Sequence, residues 1–214
     1  RWSDRSEIPP TSVHSDEVAT TLFGYVDTEA ENSASVTDIV DIAPPLEHSA
    51  LSVVRPALGN LPEQGDRFIG RTDELLAMHN RLQSDRQILT LFGPGGMGKT
   101  RLSLKFGEQH RDNYPGGVWF CDLTAARNWQ DIVDAVAQAL GVPLREKSPA
   151  LQLAHAINGR GPVLIILDNM EQVVGHAATT VGLWATQAPQ ASFIVTSRIQ
   201  LGLQTEQVFE LGPI

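Results

Sequence analysis

From residue 87 onward, short continuous apolar runs alternate with longer stretches in which apolar positions recur every three or four residues. "QILTLF" (87–92), "GVWFCDL" (117–123), "VLIIL" (163–167), "SFIVTS" (192–197) and "QVFEL" (207–211) have the length and composition of strands. "VLIIL" has no polar break, which is the pattern of a strand covered on both faces. A glycine-rich turn follows the first run, and a helix is predicted from about Lys99 to Gln109. In "WQDIVDAVAQAL" the residues Ile132, Val133, Val136 and Leu140 fall on one helical face. Upstream, Thr72 to Leu82 reads as an amphipathic helix with Thr72 as its N-cap. Strands separated by helices imply a layered α/β fold with a mainly parallel five-stranded sheet.

The first 60 residues follow a different rule. They are rich in Ser, Thr, Asp, Glu and Pro, and pieces such as "TTLFGYVD" and "SVTDIVDI" supply at most two or three short strands. They hold too few large apolar residues for a core of their own. "RPALGNLPEQGD" then gathers Pro, Gly and Asn as a boundary does. The expected organisation is an irregular acidic linker, or the tail of an upstream domain, over 1–60 and a core over 61–214.

Charge sharpens that division. The net charge is −9, and residues 1–60, with three Arg against ten acids, carry −7 of it. Neither part clusters Lys and Arg as contact with a nucleic-acid backbone requires, so direct nucleic-acid binding is not expected. Hydrophobic residues at 42% suffice for a buried core, yet no apolar run approaches the roughly 20 residues of a membrane span. The single cysteine, Cys121, excludes an internal disulfide, and a reducing, cytoplasmic setting fits it. The chain opens at Arg1 with no apolar signal core, so a piece of a longer cytoplasmic protein is expected.

The chemistry is carried by "GPGGMGKT" (93–100). Gly93, Gly98, Lys99 and Thr100 match the phosphate-binding loop G-x-x-x-x-G-K-[ST], and the motif sits between a predicted strand and a predicted helix as it must. Glycines let backbone N–H groups converge on a phosphate, and the helix N-terminus adds its positive end. Lys99 reaches for the β- and γ-phosphates, and the Thr100 hydroxyl for Mg²⁺.

Such a site also needs an acid at the end of a neighbouring buried strand. Asp168 in "VLIILDNME" is that acid, with a helix N-cap as its alternative role. The next residue is Asn169, where an efficient ATPase usually has a glutamate to polarise water. Glu171 is the nearest substitute; its other role is a favourable acid in the first turn of a helix starting here. The outcome is a slow hydrolase or a nucleotide holder. Arg198 emerges from "FIVTSR" beside the loop strand, either to sense the γ-phosphate or to cap a strand end, with Thr196 and Ser197 as weaker polar candidates.

In order along the chain, "FIGRTDEL", "LTLFGPGGMGKTRL", "VWFCDL", "LIILDNMEQV" and "FIVTSR" with "LGLQTEQVFELGPI" resemble the STAND class of P-loop ATPases. More narrowly they are similar to the NB-ARC-like module of bacterial regulators, which accompanies DNA-binding, cyclase or kinase domains and a helical repeat sensor. The resemblance covers 61–214 and implies a P-loop three-layer sandwich with strand order 5-1-4-3-2. It also implies an ATP/ADP switch with Mg²⁺, fused sensor and effector domains, and nucleotide-dependent self-association.

By the same resemblance, Phe68, Ile69, Gly70 and Arg71 correspond to the segment that packs around the adenine. The loop set is Gly93, Pro94, Gly95, Gly96, Met97, Gly98, Lys99, Thr100 and Arg101. The family's small helical subdomain, with its Gly-x-Pro contact, falls beyond Ile214, so weak nucleotide affinity is expected of this chain.

Other classes fit less well. No Asn-Lys-x-Asp segment is present to read guanine, and a small-molecule kinase would not need "FIGR" or Arg198. A nucleotide-loaded scaffold with negligible turnover stays open. His79, His110, His155 and His176 have no ligand spacing, and Trp119, Trp129 and Trp184 read as packing.

Overall fold

All five apolar runs become strands: β1 (Ile88–Phe92), β2 (Val118–Asp122), β3 (Val163–Asp168), β4 (Ala191–Ser197) and β5 (Glu206–Glu210). Every pairing is parallel, in the order β2-β3-β4-β1-β5, which is 5-1-4-3-2 read from the other edge. The computed structural model describes residues 58–213 apart from 66, 67, 85, 86 and 146. The acidic segment expected over 1–60 therefore lies, up to residue 57, outside the described residues.

The pleat sends alternate side chains to opposite faces. In β3, Val163, Ile165 and Leu167 enter one core, while Leu164 and Ile166 enter the other, and all six residues of the strand are buried. On the first face lie α3 (Trp129–Leu140), α4 (Pro149–Asn158) and α5 (Leu183–Gln187), contributing Ile132, Val136, Leu153, Ile157 and Trp184. On the second lie α1 (Thr72–Leu82) and α2 (Lys99–Gln109), contributing Leu75, Met78, Leu102 and Phe106. Each such side chain, fully buried, stabilises the fold by about 1.5–3 kcal/mol. These three layers fix the C-terminal ends of β1, β3 and β4 at one rim.

Local chemistry explains the ends. The Asn128 side chain accepts from the N–H groups of Gln130 and Asp131 to start α3, and left-handed Gly141 stops it. Pro149 opens α4, an element too short in its apolar pattern to be singled out from sequence. Thr72 is not the N-cap of α1. That position belongs to Arg71 in a left-handed conformation, with no side-chain cap bond.

The helix expected around Glu171 is also not continuous. After β3 the chain makes 3₁₀ turns at Met170–Gln172 and Val174–His176, a π turn at Ala178–Gly182, and only then α5. Val173, Val174, Thr179, Thr180 and Val181 are β-branched and lower helix propensity. The Thr179 and Thr180 hydroxyls both donate to the His176 carbonyl.

The β2 edge is covered by the chain entering the domain. Gly59 makes a parallel bridge with Val118, and the Asn60 amide both accepts from the Phe120 N–H (2.6 Å) and donates to its carbonyl (2.9 Å). Cys121 is buried, and burial alone pushes its thiol up to about 12, so no reactive thiolate is available. Among the described residues no helix is long and apolar enough to cross a membrane.

One buried polar group has no partner among the described residues: the Thr90 hydroxyl in the middle of β1. Replacing Thr90 with valine keeps the shape and removes the desolvation cost. Urea unfolding should show a gain of about 1 kcal/mol at unchanged m value. A loss of stability instead would mean that the hydroxyl is bonded.

Candidate nucleotide site

At the end of β1 the backbone turns at Gly93 with φ 151°, and a Cβ there would lie 2.9 Å from the Leu211 carbonyl oxygen. Only glycine fits this turn. Gly96 and Gly98 are left-handed, and α2 begins at Lys99 with no acidic residue in its first turn. Its unpaired N–H groups and positive end are thus free of any carboxylate supplied by the helix itself. The Lys99 ammonium donates to the carbonyls of Gly93 and Pro94, both at 2.8 Å. Burial lowers its pKa; nearby Glu171 opposes that, Arg198 adds to it, and Asp168 opposes it.

Asp168 is 4% exposed and its oxygens are shared among side chains, not given to the following turn as a cap. Its Oδ1 accepts from the hydroxyls of Thr100 (2.7 Å) and Thr196 (2.6 Å), and its Oδ2 from the Asn169 amide (3.0 Å). Thr100 from α2 and Asp168 from β3 therefore meet as sequence reasoning expected. These are hard oxygen donors, of the kind Mg²⁺ prefers, beside a loop shaped for phosphate. The residues present fit a magnesium nucleotide.

Glu171 and Arg198 also come together. They form an ion pair at 3.3 Å, with Glu171 19% and Arg198 63% exposed. Arg198 leaves β4, which pairs with β1, and its guanidinium nitrogen is 2.9 Å from where a Cβ on Gly95 would stand. The arginine rests on the loop. Ser197 bonds back to Ile199 and takes no part in that contact.

Upstream, Arg71 donates to Glu74, to the Met97 carbonyl (3.1 Å) and to the Gly212 carbonyl (3.0 Å). It ties the lead-in to the loop and to the segment after β5. Phe68, Ile69 and Arg71 line a cavity of about 200 Å³ with Gly96, Met97, Gly98 and Arg101. Gly70 instead lines a separate cavity of about 420 Å³ along α1 and α2, with Phe68 at both.

Sequence reasoning missed the β2 end. Asp122 stands in register with Asp168, and its Oδ1 accepts from the Thr124 hydroxyl (2.6 Å) and N–H (2.9 Å). These bonds, first the hydroxyl, hold its pKa below the usual carboxylate range. The Asn169 amide donates to Thr124 at 2.8 Å, so Asn169 is held between Asp168 and the threonine that bonds Asp122. Its backbone is left-handed, at φ 63°. The available signal was an Asp at the carboxyl end of a parallel strand, where ligands of open α/β sheets gather.

A parallel sheet in this order, a phosphate loop after its β1 strand and an acid at the end of β3 define a P-loop NTPase domain. The chain belongs to the AAA domain family, whose description matches residues 81–197. An uncharacterized protein of Mycobacterium tuberculosis is 28% identical over 185 residues, covering 85% of this chain and 47% of that protein. The regulatory protein AfsR of Streptomyces griseus is 27% identical over 161 residues, covering 69% of this chain and 16% of AfsR. The chain thus spans about half the length of the first relatives, at 47%. Among solved structures, Cdc6p of Pyrobaculum aerophilum shares the fold with TM-score 0.54 at 19% identity, over 72% of this chain and 47% of Cdc6p.

Proposed function

We propose that this chain is the nucleotide-switch module of a larger regulatory protein, binding ATP or ADP with Mg²⁺ and hydrolysing ATP slowly. The observation that carries this reading is the Glu171–Arg198 ion pair lying against Gly95 of the phosphate loop. A bound terminal phosphate would compete for Arg198 and release Glu171, so the pair distinguishes the two nucleotides.

In this reading Lys99 exchanges the Gly93 and Pro94 carbonyls for phosphate oxygens, and Thr100 and Asp168 hold the metal. Mg²⁺, when bound, would neutralise charge on the phosphates. Phe68, Ile69 and Arg71 face the adenine, with Gly70 providing the bend between them. Glu171 orients the attacking water once it leaves Arg198. Asn169 cannot take that role, since it has no carboxylate and its amide is bound to Asp168 and Thr124. Slow turnover follows.

Asn169 equally favours a second reading, a nucleotide-loaded scaffold with negligible hydrolysis. Single-turnover hydrolysis measured alongside ADP binding separates them. Glu171→Gln should slow the single turnover by roughly 10²-fold while ADP affinity stays within about twofold. Unchanged turnover would remove Glu171 from catalysis.

The relatives named as regulators support the larger frame: residues 61–214 as the switch core, the front segment as a linker or upstream tail, and sensor and effector domains on the same polypeptide in the cytoplasm. Nucleotide-dependent self-association and the absence of direct nucleic-acid binding belong to the same proposal. The STAND and NB-ARC-like assignments rest on the motif order from "FIGR" to "FIVTSR".

A further inference from the structure

The connection from β4 to β5 is unusual for two strands that both lie parallel to β1. It takes eight residues, 198–205, and contains no helix. Parallel crossovers commonly need a dozen or more residues with a helix, which satisfies its own backbone groups. Here a side chain takes over that task. Glu206, 8% exposed, accepts from the Leu201 N–H through Oε1 (2.9 Å) and from the Gly202 N–H through Oε2 (2.8 Å). Its own N–H donates to the Leu203 carbonyl at 3.0 Å. Leu201 is buried in the larger core, and Gly202 is left-handed at φ 73°.

The other end of the same connection is braced by Ser197. Its hydroxyl accepts from the Ile199 N–H (3.0 Å) and donates to the Ile199 carbonyl (2.5 Å). Arg198 sits inside the Ser197 brace, and the Glu206 brace fixes the chain three residues further on. The Arg198 side chain is 63% exposed and pairs with Glu171, so its reach over Gly95 depends largely on where the backbone holds its Cα.

We infer that Glu206 is a positioning residue for Arg198: by clamping the helix-less crossover it sets the arginine over the phosphate loop and so sets the preference for ATP over ADP. This rests on the reading of Arg198 as the group that meets the terminal phosphate. A carboxylate holding two N–H groups makes charge-assisted bonds, stiffer than neutral ones. ADP lacks the γ-phosphate that Arg198 would meet and is blind to where the arginine stands.

The test compares dissociation constants for Mg·ATP and Mg·ADP in the 214-residue chain and in Arg198→Ala, Glu206→Gln and Gly202→Ala variants. Gly202→Ala meets no atom within 4 Å and acts only through backbone strain, leaving the carboxylate in place. Arg198→Ala should lower the preference for ATP. Glu206→Gln should weaken ATP roughly fivefold and leave ADP within about twofold, with Gly202→Ala shifting in the same direction.

A purely structural Glu206 would weaken both nucleotides alike and lower Tm, and that result overturns the inference. If Glu206→Gln fails to fold, Gly202→Ala decides alone. Should Arg198→Ala leave the preference unchanged, the reading of Arg198 falls and the brace with it. Should only Arg198→Ala shift it, the brace alone is overturned.

Discussion

Replacing Lys99 with alanine is expected to weaken both Mg·ATP and Mg·ADP by about 100-fold or more, as the loss of about 3 kcal/mol of charge-assisted contact requires. Titration calorimetry on the 214-residue chain would read it. The ammonium is only part-buried and is occupied by the Gly93 and Pro94 carbonyls, one of them in an exposed bond. Those carbonyls can turn to water when it is removed. The nucleotide-free protein should therefore keep its melting temperature within a few degrees, which separates lost binding from lost folding. Retention of both binding and turnover in Lys99→Ala would end the nucleotide reading altogether.

Asp168→Asn is expected to cut single-turnover hydrolysis by roughly 10²- to 10³-fold and to abolish its dependence on Mg²⁺. Asparagine preserves volume but keeps one acceptor oxygen where three donors converge, from Thr100, Thr196 and Asn169. At least one of these becomes unpaired at a site only 4% exposed. Chemical unfolding should accordingly show a loss of about 1–3 kcal/mol, a cost that Lys99→Ala does not carry. Hydrolysis that survives with the same Mg²⁺ dependence would assign the metal to another acid, with Asp122 the nearest by strand register.

Much of this molecule was legible in one dimension because its sheet is buried on both sides. Continuous apolar runs mark such strands, and the helical pattern of residues 99–109 was recovered at Lys99–Gln109. The phosphate loop is equally legible, since each glycine and the lysine are fixed by backbone geometry within eight consecutive residues, 93–100. The segment after β3 was not. Asn169 in a left-handed backbone turns the chain away from a helix, and the β-branched residues beyond it let turns of other pitch compete. Thr72 as a cap failed for a related reason: Arg71 takes the cap position because its side chain is held by Met97 and Gly212, far away in sequence.

The sequence by itself determined that this is a parallel α/β domain with a phosphate loop over residues 93–100, and it marked Asp168 as an acid at the end of a buried strand. Local spacing and apolar runs encode those facts because they depend on neighbours within a turn or a strand. Only the tertiary structure decided that Glu171 and Arg198 hold each other over Gly95, that Asp122 and Thr124 occupy Asn169, and that Glu206 clamps the crossover behind Arg198. Most of these contacts join separate strands and loops across the rim of the sheet. Their pairing follows from strand order and register, which no local pattern of residues carries.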